Sequence, residues 1–106
     1  MEKELDLGNG GLKSIRFNLG QVVMTCGVDG EIQRNGEFAK FVAKSFIRHC
    51  NGDWGDLCDE DKAMNDSAVA NSDDRIVSRY LFDDEPIYII TEWDRSYTTI
   101  LFASEY

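Results

Sequence analysis

RIVSRYLFDDEPIYIITEWDRSYTTILFA, running from Arg75 to Ala103, decides the fold class. Arg75–Phe82 alternates, which puts Ile76, Ser78, Tyr80 and Phe82 on one side of an extended chain. Asp83-Asp84-Glu85-Pro86 has the composition of a turn. Ile87–Glu92 is strongly β-prone, Trp93-Asp94-Arg95-Ser96 turns the chain again, and Tyr97–Ala103 makes a last strand. Connections this short join consecutive strands as antiparallel neighbours.

Working upstream, Phe38, Phe41, Val42 and Phe46 recur at three- and four-residue spacing, so Glu37–Cys50 is predicted to be an amphipathic helix. Glu37 at its start and Arg48-His49 at its end suit the helix dipole, and Asn51-Gly52 is a stop signal. A second helix opens on the acidic turn Asp59-Glu60-Asp61 and runs to about Val69, with Leu57, Met64 and Ala68 as a narrow inward stripe. Before the helices, Arg16–Cys26 reads as a strand interrupted by Gly20. Phe17, Leu19 and Gln21 would share one face of it, with Val22 and Met24 on the other. Gly27-Val28-Asp29-Gly30 and Asn35-Gly36 read as turns, and residues 1–14 as a mobile lead-in. The predicted architecture is α+β: an antiparallel sheet in the order β-α-α-β-β-β, two helices on one face, and a single domain over residues 15–106.

Composition narrows the function classes. Twenty acidic residues against eleven basic ones give a net charge of −9 over 106 residues. Direct binding to nucleic acid requires clustered Lys and Arg, and an anionic membrane repels such a chain as DNA does. No apolar run approaches the ~20 residues of a membrane span. Glu2, Glu4 and Asp6 occupy the place where a secretory leader is basic, so the cytoplasm is the expected location. Three cysteines, Cys26, Cys50 and Cys58, form no disulfide framework. With His49 they could supply metal ligands, but the paired spacing of a zinc site is missing. Gly8-Asn9-Gly10-Gly11 precedes no Lys-Ser/Thr pair and is no phosphate cradle. Neither a metal nor a cofactor is expected.

The second half carries a recognisable pattern of polar residues. His49, Gly52-Asp53-Trp54-Gly55-Asp56-Leu57, Glu60-Asp61-Lys62 and Asn65 are followed by Arg75, Ser78 and Tyr80. Then come Thr91-Glu92, Asp94-Arg95-Ser96, Thr98-Thr99, Leu101 and Glu105-Tyr106. The chain resembles, over residues 47–106, a family of small bacterial plasmid- and phage-borne proteins that often bear the label "plasmid-related protein". Upstream the likeness is confined to Phe17-Asn18-Leu19-Gly20-Gln21-Val22-Val23, after which those proteins carry Thr-Pro-Gly and a helix where this chain has Thr25-Cys26-Gly27. Trp93 and Ala103 stand where they carry a small residue and a proline. The resemblance implies a mobile-element origin and no particular reaction.

Two sets of residues are candidates for function. His49, Asp53, Trp54, Glu92, Asp94 and Arg95 form a polar cluster that, beside Ser96, outlines a nucleophile, base and orienter. The same residues suit turn hydrogen bonds, a helix end, and an ion pair of Arg95 with Asp53 or Asp56. The acidic patches Asp59-Glu60-Asp61 and Asp83-Asp84-Glu85, with loop-borne Trp93, suit contact with a basic partner instead. The leading expectation is a non-enzymatic accessory protein that binds, and by binding inhibits, a host protein. A nucleic-acid-handling effector, such as a CRISPR or restriction enzyme, is one form of that target. A small enzyme built on the polar cluster and a homodimer joined through a sheet edge are the alternatives.

Overall fold

A computed structural model describes residues 2–4, 12–13 and 16–106. Strand β3 (Asn18–Thr25) leads into three helices, α1 (Cys26–Arg34), α2 (Gly36–Cys50) and α3 (Asp59–Asn71). The meander β4 (Ile76–Phe82), β5 (Glu85–Thr91) and β6 (Tyr97–Phe102) follows. Two short segments, β1 (Glu2–Glu4) and β2 (Leu12–Lys13), pair antiparallel with β3. They fall within the expected lead-in, the rest of which lies outside the described residues.

The meander has the predicted antiparallel order, but the sheet as a whole is mixed. β3 lies parallel to β6, with Gln21 opposite Tyr97 and Met24 opposite Ile100. The strand order is therefore β1-β3-β6-β5-β4, with β2 also paired to β3. The physical reason is the helical excursion: it carries the chain from β3 to the far edge of the sheet, and the meander walks back until its third strand meets the first. Helices are what such a crossover between parallel strands requires.

The element order is also β-α-α-α-β-β-β, because Gly27-Val28-Asp29-Gly30 is helical rather than a turn. The Thr25 hydroxyl accepts the Val28 amide at 3.2 Å, Asp29 stands in the first turn, and Val28 is wholly buried. A cap and a buried side chain outweigh the roughly 1 kcal/mol that a helical glycine costs. Asn35 alone separates α1 from α2, and its side chain accepts the Glu37 and Phe38 amides.

Parity along β3 also departs from simple alternation. Leu19, Val22 and Met24 are all buried and Gln21 is exposed. Gly20 has φ +64° and sits against the Ser96 carbonyl, which accepts the Gln21 amide at 3.1 Å. That kink shifts the buried face by one residue. Beyond it, Val22 and Met24 join Ile100, Ile87, Ile89, Ile76 and Tyr80 beneath Val28, Phe38 and Val42. Each large side chain buried in this way stabilises the fold by roughly 1.5–3 kcal/mol. Phe46, expected beside Phe38 and Val42, is only partly buried.

α3 differs from its expected form. Asn65 and Ala68 face inward, whereas Met64 is 62% exposed. It runs along the outer edge of β4 rather than over the sheet, so the two expected helices do not share one face.

Candidate functional site

His49, on the last turn of α2, is wholly buried and does not reach Glu92 or Asp94. Its Nδ1 lies 2.6 Å from Ser78 Oγ on β4 and its Nε2 lies 2.9 Å from Thr91 Oγ1 on β5. Thr91 Oγ1 is 2.7 Å from Thr98 Oγ1 on β6, and Thr98 donates to the Leu19 carbonyl on β3 at 2.7 Å. That last bond orders the protons as far as Nε2, and the neutrality that burial imposes on the ring settles Nδ1; Ser78 Oγ also lies 3.4 Å from the Ile89 carbonyl. Thr98 must accept from Thr91, Thr91 from His49 Nε2–H, and Nδ1 from the Ser78 hydroxyl. A neutral imidazole thus stands between Ser78 and Thr91 in a hydrogen-bonded line that touches all four main strands. Phe17 and Trp54 pack edge-on to its ring at 5.6 and 5.8 Å, and burial pushes its pKa down to about 3. An imidazole sealed in this way fixes strand register. It has no access to a substrate.

The loop Gly52-Asp53-Trp54-Gly55-Asp56-Leu57 covers the outer edge of β4. The Arg79 amide donates to the Trp54 carbonyl at 3.1 Å, and the Asp56 amide donates to the Arg79 carbonyl at 2.7 Å. Gly55 has φ +76°, and a Cβ there would overlap the Arg79 carbonyl. Asp53 takes both nitrogens of the Arg48 fork at 2.7 and 3.1 Å, which holds its carboxyl below the usual range. Asp56 pairs with Arg79. Trp54 is buried, its Nε1 donating to Asp66 at 2.9 Å, so it closes the core. Two residues back along β4, Asn65 donates to the Val77 carbonyl at 2.7 Å and accepts the Val77 amide at 3.1 Å. An edge whose amides and carbonyls are taken in this way does not template a second strand.

Arg95 makes no ion pair with Asp53 or Asp56. Its Nη1 donates to the carbonyls of Asp74, Glu92 and Trp93, and its Nη2 to those of Ala68 and Asp73. The guanidinium therefore ties the end of α3 and the following loop to the β5–β6 turn. Asp94 accepts the Ser96 amide at 3.0 Å and the Ser96 hydroxyl at 2.6 Å, which lower its pKa. Ser96 is thus a turn residue and no nucleophile. Above this turn Trp93 stands 66% exposed.

Of the predicted site residues, His49 and Trp54 meet in the core, and Glu92, Asp94 and Arg95 build one turn. Asp53 belongs to the β4 edge, and no convergent centre unites the six. The acidic residues Asp59, Glu60 and Asp61 are exposed in the first turn of α3. Asp83 and Asp84, with φ +47° and +67°, form the two-residue β4–β5 turn, and Glu85 opens β5. Among the described residues no three His, Cys, Asp or Glu side chains come together as metal ligands, and no helix is long and apolar enough to cross a membrane. No protein-family model, curated protein or solved structure matches the chain.

Proposed function

We propose that this chain is a non-enzymatic binding module that engages a basic protein through its acidic surface, with Trp93 as an apolar anchor. The observation that carries this reading is the Trp93 turn. A large aromatic stays 66% exposed on a turn that Arg95 fastens by donating to two of the turn's own carbonyls and to three on the end of α3 and the loop after it. A rigidly presented tryptophan loses little entropy on docking, and tryptophans are prominent among interface hot spots. Asp94 follows Trp93 in the turn, and Asp73 and Asp74, whose carbonyls Arg95 holds, are exposed as well, which adds negative charge to this end of the molecule. The polar residues that would serve an enzyme are engaged in holding the scaffold. The resemblance to plasmid- and phage-borne proteins supports placing the activity in a mobile element, with a host protein as the target.

The test is affinity capture from a lysate of the source organism, using the unaltered chain and Trp93→Ala side by side. A partner retained by the unaltered chain, lost with Trp93→Ala and released as salt rises supports the reading. A partner retained equally by both proteins and indifferent to salt overturns it.

A further inference from the structure

At the opposite end of the hairpin from Trp93, an open cleft of about 360 Å³ lies between the α1–α2 junction and the β4–β5 turn. Its floor is aromatic. Phe38 stacks on Phe102 at 5.5 Å and meets the edge of Phe82 at 5.4 Å. Among the described residues every ionisable side chain lining it is a carboxylate: Glu31 on one wall, Asp83 and Glu85 on the other. Register explains the placement, because Glu85 pairs with Phe82 and therefore points to the same face of the sheet. Glu31 is bonded to Arg34 at 2.9 Å and to Asn35, which hold its carboxyl below the usual range. Asp83 and Glu85 have no ion-pair partner among the described residues.

We infer that this cleft is a docking site for an arginine side chain presented by a basic partner protein. The charge of the walls selects a cation, and the floor selects a flat one. A guanidinium lies against aromatic rings while its edge donates to two carboxylates, which an ammonium does less well. The site deepens the acidic-binder reading, on which it rests, by naming a second contact and the residue type that fills it.

The probes are hexa-arginine and hexa-lysine peptides titrated into the ¹⁵N-labelled full chain at low salt. Hexa-arginine should bind several-fold more tightly than hexa-lysine and shift the amides of Glu31, Phe38, Phe82, Glu85 and Phe102. Asp83→Asn with Glu85→Gln should weaken it about tenfold. Asn tolerates positive φ, so the turn survives that change. Asp59→Asn with Glu60→Gln and Asp61→Asn removes more charge and should cost less than about twofold, since it lies outside the cleft. Shifts spread over the acidic surface, equal response to the two peptides, or equal losses from the two variants would overturn the inference. A captured partner that needs Trp93 but not Asp83 and Glu85 would sink the cleft alone. Peptide seated in the cleft, with no Trp93-dependent partner, would sink only the function proposed for the turn.

Discussion

Acidification from pH 7 to pH 5 should expose the buried imidazole in the stability of the whole fold. His49 is the only histidine in the chain. Its pKa is about 3 when folded against an ordinary value of 6.5, and burial is the cause. The unfolded chain therefore takes up a proton below pH 6.5 that the folded chain refuses until about pH 3. Its stabilising effect is complete above the unfolded pKa and is lost as pH falls between the two values. Near 1.4 kcal/mol per pH unit, rounded at the shoulder, this gives a loss of about 2 kcal/mol between pH 7 and pH 5. Asp53, Asp94 and Glu31, whose pKa values are lowered, act in a separate window near and below pH 4. Protonation of exposed carboxylates relieves some of the net charge of −9, an opposing effect that also grows below pH 5. Urea denaturation at four pH values measures the slope, and His49→Gln should abolish it even if the variant is less stable. The imidazole nitrogens, followed by NMR, should stay in the neutral form throughout this range. A flat profile in the unaltered protein, or an unchanged slope in His49→Gln, would refute the reasoning.

Asn65→Ala should cost about 1–3 kcal/mol, since it leaves both backbone groups of Val77 without their side-chain partner. It should also raise self-association, read by sedimentation, by uncovering an edge. Gly55→Ala should destabilise by more than about 2 kcal/mol, through both its positive φ and the overlap with Arg79. Gly30→Ala should stabilise by about 0.5–1 kcal/mol, because a Cβ there meets only the flexible tip of Arg34. Thermal melts of the pair distinguish a helical Gly30 from the turn that sequence suggests. The Glu105 carboxylate accepts from Thr25 Oγ1 and the Phe102 amide, both at 2.8 Å. Glu105→Ala should therefore cost about 0.5–1.5 kcal/mol and speed exchange of the Phe102 amide.

The meander was legible because alternation and turn chemistry are local: Ile76, Ser78 and Tyr80 share a face as their spacing requires. Helix α2 was legible for the same reason, within one residue at its start. What sequence hid was whatever depends on a distant partner. The parallel pairing of β3 and β6 has no local signature. The helix at Cys26–Arg34 was masked by Gly27 and Gly30, although Thr25 followed by Asp29 was a visible start signal. Within the polar cluster the side chains have other partners than their types suggest. His49 meets hydroxyls on inward strand positions where its type suggests carboxylates, and Arg95 serves carbonyls where its charge suggests acids. Asn65 is hidden as an inward residue because Met64 beside it is the more apolar. Hydrophobicity ranks side chains by type, while an exposed strand edge selects them by their pair of donor and acceptor.

The parallel pairing has a kinetic consequence. Thr98 closes the transverse line by bonding Leu19, 79 residues away in sequence. Loop-closure entropy for so wide a separation must be overcome before that contact contributes anything. The β4–β5–β6 hairpins can form early from near neighbours, but β3 joins none of the meander strands until β6 has been made. During synthesis β3 and the helices emerge with their partner strand still unbuilt, leaving Leu19, Val22 and Met24 uncovered on one side. The chain should therefore collapse late and cooperatively, and β3 is the segment most exposed to capture by a chaperone or by another nascent copy.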